Sequence, residues 1–448
     1  MTFKVKSGFN VGSTTVVDQN SYFQQTESAA SITPSLVLNF GNRTLDSRIQ
    51  YSRASNGTFV AATGLIQNAT SGVARFEHNP ITRDCRGLLM EEQKTNLLLW
   101  SANTRGGGWT ADQAFLDTSA ITAPDGSATV SKMTEGTSSV GYRIIRQDPT
   151  GIAANTVYTA SMFIKPAELA NVGLSWFDVS GTGLYAYADF NLTTGTVVAF
   201  NETYANGFSN SAMANAAITP YANNWYRCSL TFTTGANTGG SIRLGLSGFA
   251  SPGGNVNGVY VWGGQLEDRY TTTSLIYTTT AQVTRLQDDA KITGNNFFNF
   301  FNAAEGTIIT ESEVNSVMTG TQGVVTANRY PFLWHLNKWG STNGTVITWY
   351  GSVVELTING TYNNQGAVPA GFSKYAMAVA NSSGQSATCL NGGVVANRSG
   401  TGFNRDTDFL GIGSANGSGT NIFNGTIKSL TFYPKRLDNN TLINLTTI

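Results

Sequence analysis

Short runs of alternating apolar and polar residues, each closed by a turn, constrain this chain more than any other feature. TVYTASMFIKP (156–166), LYAYADFNLTTGTVVAF (184–200), NWYRCSLTFTT (224–234), SIRLGLSG (241–248) and GVYVWGGQLE (258–267) keep a period of two over a strand's length. Such a period sends alternate side chains to opposite faces, so each run is a strand with one buried side. Turn chemistry separates them: APDG at Ala123–Gly126, TTG at Thr193–Gly195, then TGGS and SPGGN. A series of half-buried strands joined by tight turns predicts an antiparallel sandwich. Gly at 49 residues, with abundant Asn, Thr and Ser, carries the same reading over the whole chain. The expected fold class is all-β.

Charge then removes several function classes. Lys and Arg total 27 and Asp and Glu total 27, so no basic field exists to hold a nucleic-acid backbone. Cys85, Cys228 and Cys389 are odd in number and far apart, fitting neither a disulfide framework nor a zinc spacing. Each is expected as a small buried apolar residue. The opening MTFKVKSGFNVG lacks a signal peptide's apolar core, and no run approaches a membrane span. A soluble protein made in the cytoplasm is expected, with no nucleic-acid partner, no membrane insertion and no cofactor.

At 448 residues the chain has room for two or three cores. Residues 1–25 are too short and polar to bury one and are expected as an arm. Residues 26–96 read as a strand-rich connector, with SLVLNF, IQYSRA and GTFVAA as its strands. A first sandwich is expected over 97–287, with LLLWS as its first strand, and a second over 288–448. The boundary falls near Asp288, where TTTAQVTRLQDDAK loses any period. The closing GTIKSLTFYPKRLDNNTLINLTTI is a strand ending at Tyr433, then a short helix capped by Asp438 with Leu437, Leu442 and Leu445 on one side.

One connector stretch looks chemical: ARFEHNPITRDCRGLLMEEQKTNLLLWS (74–101) holds His78, Cys85 and four acids. Its wording points elsewhere. Arg53 to Ser55 of YSRASNGTFV, Arg75 to Pro80, Gly87 to Leu98, and VYVWGGQLEDRYTTTSLIYTTTAQVTRLQDD resemble a recurrent module of tailed-bacteriophage structural proteins. That likeness covers roughly the first two-thirds of the chain. Residues 97–285 are similar to a carbohydrate-binding-module-like jelly roll. YAMAVANSSGQSATCLNGGVV (375–395) and FLGIGS to FNGTIKSLTFYPKRLDNNTL (409–442) resemble a concanavalin A-like, laminin-G-type sandwich. The resemblance implies a virion surface protein of tail-fibre or appendage type, commonly a homotrimer, joined to other virion structural proteins through its arm.

Candidate sites follow from residue chemistry. His78 with Glu77, Asp84 and Cys85 lacks metal spacing, since Pro80 interrupts it and the other histidine, His335, is remote. A hydrogen-bonding role in a fixed loop is expected. Glu91 and Glu92 are adjacent and cannot flank one bond. Glu311 with Glu313, and Asp406 with Asp408, share a strand face; Asp406 and Asp408 are also a weak calcium candidate. The GIGSANGSG run misses a dinucleotide spacing and precedes a strand, so a turn explains it. Aromatic planes that stack on sugar C–H faces are the remaining candidates. Trp176, Tyr185 and Tyr187 in the first sandwich, and Trp334, Trp339, Trp349 and Tyr350 in the second, are the expected glycan contacts. Phe190 should face away from Tyr187, and Trp225 and Trp262 should be core. Three functions remain open: a virion appendage that binds host surface polysaccharide, an architectural decoration, head fibre or connector without glycan binding, and a polysaccharide-degrading tailspike. The last is disfavoured because no β-helix repeat is found, and a non-enzyme is expected.

Overall fold

The computed structural model describes residues 32–136, 143–178, 185–203, 215–236, 238–246, 256–269, 272–314, 332–337, 345–350, 353–358, 361–367, 371–380, 385–399, 402–403, 406–414 and 422–448. It also describes two short strands, Asn10–Val11 and Thr14–Thr15. The rest of the expected arm lies outside the described residues. The fold is all-β, built from antiparallel sheets stacked as two sandwiches.

The central sandwich faces two six-stranded sheets across one core. One sheet runs Thr110–Asp112, Ile144–Gln147, Ser241–Leu246, Asn171–Phe177, Tyr185–Asn191, Thr196–Thr203. The other runs Ala114–Thr118, Ser131–Glu135, Gly258–Asp268, Val157–Pro166, Trp225–Thr233, Asn215–Tyr221. The five runs singled out by their period are all strands here. The apolar sides of the two sheets' strands, among them Val172, Leu174, Ala186, Phe190, Leu230, Phe232, Ile242 and Leu244, fill the space between the sheets. Trp225 and Trp262 are core, as expected. Gly126 closes the APDG turn at φ 86, donating its N–H to the Ala123 carbonyl at 2.9 Å. LLLWS is not a strand: Leu98 to Trp100 form bends, and Trp100 takes φ 53. The Asn96 side chain enforces this, its Oδ1 accepting from Leu98 N at 3.0 Å and Leu266 N at 3.1 Å.

The second sandwich is assembled from both ends of the chain. Its seven-stranded sheet runs Thr361–Ala367, Val353–Ile358, Thr345–Tyr350, Phe332–Asn337, Phe409–Ile412, Asp289–Thr293, Gln50–Ser52. Its eight-stranded sheet runs Ala396–Ser399, Gln385–Leu390, Ser373–Ala380, Glu305–Val314, Gly425–Tyr433, Cys85–Met90, Phe76–His78, with Leu36–Asn39 also against Gly425–Tyr433. Residues 36–90, expected as a connector, therefore supply strands to both sheets. Leu36, Leu38, Phe40, Leu88 and Met90 share a core with Ile308, Trp334, Leu410, Ile427 and Phe432. SLVLNF and IQYSRA looked like a linker because the strands that complete them, Gly425–Tyr433 and Asp289–Thr293, come only after the inserted sandwich. The central sandwich is an insertion in this one, leaving and returning where Lys94–Asn96 pairs with Val283–Arg285.

The C-terminal helix Asn439–Thr446 packs Leu442 on Ala376, Ala378, Ala387 and Cys389, covering the outside of the eight-stranded sheet. Asp438 is its N-cap, accepting from Thr441 N at 3.0 Å. Asp438→Ala should lower stability by about 1 kcal/mol, read from a denaturant titration. An unchanged midpoint would show the helix is held by packing alone. The three cysteines are free, Cys228 and Cys389 buried and Cys85 half-buried. No helix among the described residues is long and apolar enough to cross a membrane.

Candidate functional site

The stretch that looked chemical builds a seam between the sandwiches. Arg53 follows the Gln50–Ser52 strand of the seven-stranded sheet, while Arg75 precedes Phe76–His78 and Glu91 follows Cys85–Met90, two adjacent strands of the eight-stranded sheet. Asp288 arrives from the end of the insertion. Its Oδ1 accepts from Tyr51 Oη at 2.6 Å and Arg53 Nη1 at 3.1 Å. Its Oδ2 accepts from Arg75 Nη2 at 2.6 Å and Glu91 N at 2.8 Å. Glu91 takes Arg75 Nη1 at 2.7 Å, Ser274 Oγ at 2.7 Å and Ser274 N at 2.6 Å. Burial opposes ionisation of Glu91, but Arg285, Arg75 and the Ser274 bonds outweigh it and hold its carboxyl at about 2. Outside this core, Lys94 reaches Glu92 at 3.1 Å and Asp268 at 3.2 Å, and Arg269 reaches Glu92 at 3.0 Å. Every acid here is consumed by structural partners. The seam positions the strand ends that it joins.

His78 belongs to the same framework. Its ring is buried and Nδ1 lies 3.1 Å from the Val60 carbonyl, which can only accept, so Nδ1 carries the proton. Beside it, Glu77 accepts from Val60 N at 3.0 Å, and desolvation pushes its carboxyl up to about 8. His78 sits on a strand end, opposite Cys85 in the ladder and tied to the Gly57–Val60 strand. Among the described residues, no group of three or more His, Cys, Asp or Glu side chains could hold a metal ion, so Asp406 and Asp408 are not part of such a group there. Glu311 is paired with Lys428 at 3.0 Å and Glu313 with Arg86 at 3.2 Å, so each acid has its own cation.

The aromatic candidates divide sharply. Trp176 is in the central core, its ring stacked on Phe232 at 5.0 Å. Trp334 is fully buried in the second core. Neither can reach a ligand, and both are corrections to the expectation above. Trp176 alternates with Val172 and Leu174, which placed it on the core side of its strand. Tyr185, Trp349 and Tyr350 lie on strands, but their side chains are outside the described residues, as is Trp339 entirely.

Tyr187 remains, and it has neighbours that the sequence did not connect. It lies on the side of its strand opposite core residues Ala186, Ala188 and Phe190. Register aligns it laterally with Ser175, Arg243 and Arg146 across four adjacent strands. The Arg243 guanidinium sits 3.9 Å above the Phe177 ring, with Nε held by Ser241 Oγ at 2.7 Å. Arg146 is bracketed by Asp112 at 2.9 Å and Asp148 at 2.7 Å. One register step along, Gly245 and Gly173 are lateral partners between Ile144 and Asp189, leaving bare backbone on the same face. The outer face thus offers an aromatic ring and a stacked guanidinium beside bare glycine backbone, with Asp189 in line with the glycines and the Ser175 side chain buried between them. This is the chemistry of polyol recognition.

His335 is buried on the Phe332–Asn337 strand, edge-on to Phe409 at 5.6 Å. Burial holds its imidazole down at about 4, against an unfolded value near 6.5. The folded state therefore binds the proton more weakly than the unfolded one. Stability is full above about pH 6.5 and falls as pH drops towards 4, by about 3 kcal/mol in all. His335→Phe should flatten that segment of a stability–pH curve; an unaltered slope would place the titration elsewhere.

No family model matches the chain, and no curated protein matches it. Partial likenesses to solved structures exist. The CBM40 module of the Ruminococcus gnavus IT-sialidase, bound to α2,3-sialyllactose, is 16% identical over 33% of this chain and 84% of that one, with a TM-score of 0.27. Domain 4 of AbnA, a GH43 extracellular arabinanase from Geobacillus stearothermophilus in complex with arabinotriose, is 12% identical over 40% and 83%, at 0.27. The NanB sialidase from Streptococcus pneumoniae is 14% identical over 34% and 26%, at 0.27.

Proposed function

We propose that this chain is a non-catalytic glycan-binding protein of a tailed-phage virion, an appendage whose central sandwich contacts host surface polysaccharide. The observation that carries the binding part is the lateral row Arg146, Arg243, Ser175 and Tyr187 on the outer face of a jelly-roll sheet, with Phe177 beneath Arg243. The virion part rests on the motif resemblance, whose residues Arg53, Arg75, Glu91 and Asn96 all have structural duties at the seam. Attachment through the N-terminal arm, surface display and a homotrimeric state belong to the same proposal. A glycan array probed with the full chain tests it. Tyr187→Ala should weaken any positive glycan about 10- to 100-fold, the loss of one stacked ring and its contacts, about 1–3 kcal/mol. Equal binding by the variant would move the contact off this face.

The architectural reading has one observation in its favour: Trp176 and Trp334 serve cores rather than surfaces. An empty array from a chain that still incorporates into particles would select it.

A further inference from the structure

The seam carries more positive than negative charge. Arg53, Arg75 and Arg285 face only Asp288 and Glu91, and each of these five side chains is at most 1% exposed. Widening the circle adds Lys94, Arg269 and Arg227 against Glu92, Asp268 and Glu267, so the surplus stays at one positive charge. The Tyr51 phenol on Asp288 does not supply the missing negative charge, because burial and the adjacent carboxylate keep it protonated. Neither does Glu77, which desolvation holds largely protonated at neutral pH.

Donor accounting finds where the surplus sits. Arg53 is fully engaged: Nε on the Ser55 carbonyl, Nη1 on Tyr51 and Asp288, Nη2 on the Ala69 and Thr70 carbonyls. Arg285 differs. Its Nη2 donates to the Glu92 carbonyl at 2.8 Å, and its Nε approaches Glu91 only at 3.5 Å. Nη1 of Arg285, buried, has no hydrogen-bond partner among the described residues. A buried guanidinium without full compensation is costly, and each unmade donor adds to that cost.

We propose that the seam binds a small monovalent inorganic anion of the chloride class at Nη1 of Arg285. The anion brings the buried charge to zero and gives the free donor its acceptor. It would act as a structural ligand of the junction, present in the folded chain and lost on unfolding, so its concentration sets part of the stability.

The test uses the full chain. Crystals grown or soaked in bromide should show an anomalous peak within hydrogen-bonding distance of Arg285 Nη1; density there without anomalous signal identifies water and overturns the proposal. In solution at constant ionic strength, replacing chloride with gluconate should lower the Tm by about 3 °C. Arg285→Gln, which removes the surplus charge, should abolish that halide dependence, while Arg48→Gln on the surface should keep it. Halide dependence equal in the parent and Arg285→Gln would be a general salt effect and would sink the idea. If Arg285→Gln fails to fold, the bromide map of the parent decides.

Discussion

Asp288→Asn should destabilise the protein by about 3–5 kcal/mol, the usual cost of breaking a buried ion pair by changing one partner. The amide keeps the shape but loses the charge that faces Arg53 and Arg75, and it replaces one acceptor oxygen with a donor. Arg53 would then face no carboxylate, and Arg75 would share Glu91 alone with Arg285. The loss should register in both sandwiches, because Arg53, Arg75 and Asp288 flank strands of one and Glu91, which shares Arg75 with Asp288, holds Ser274 of the other. Denaturant melts followed by Trp fluorescence, with hydrogen exchange resolving the two units, measure this. A shift below 1 kcal/mol, or one confined to a single unit, would mean the seam is solvated and the units independent.

Trp176→Ala should cost a comparable 3–5 kcal/mol for a different reason. The indole is 1% exposed and stacks on Phe232, so truncation leaves a cavity that the surrounding sheets can only partly close. The same variant separates core from contact. Under conditions where it remains folded, its glycan affinity should match that of the parent, whereas Tyr187→Ala should show the converse, weak binding at nearly full stability. A Trp176→Ala protein that is stable but does not bind would return this residue to the binding surface.

Much of the fold was legible because it rests on local rules. EGTIITESEV is the strand Glu305–Val314, Tyr433 ends the strand before the last helix, and Asp438 caps that helix. These outcomes need only period, turn chemistry and capping. What escaped depended on partners distant in sequence. Nothing in SLVLNF says that Leu36 will lie opposite Phe432, so an integral strand pair read as a connector. Nothing in the SRAS or ARFEH wording says that two arginines will close on Asp288 more than two hundred residues later. For the site, alternation established that Tyr187 and Phe190 oppose each other. It did not align Tyr187 with Arg243 and Arg146, since lateral register is a property of the sheet. The core position of Trp176 is legible in the sequence: in NVGLSWF the tryptophan keeps step with Val172 and Leu174.

The insertion also fixes an order of events during synthesis. Strands Leu36–Asn39 and Cys85–Met90 emerge early, yet their shared partner Gly425–Tyr433 is among the last segments made. At ordinary translation rates of about 5–20 residues per second the wait is on the order of tens of seconds. The central sandwich, whose strands all lie between residues 110 and 268, can close within that interval. The early strands meanwhile keep open edges and apolar faces, a hazard for pairing between nascent chains. On one polysome, such chains are held close together at the stage when those edges are bare. The topology therefore makes the growing chain's own siblings the first competitors for its N-terminal strands.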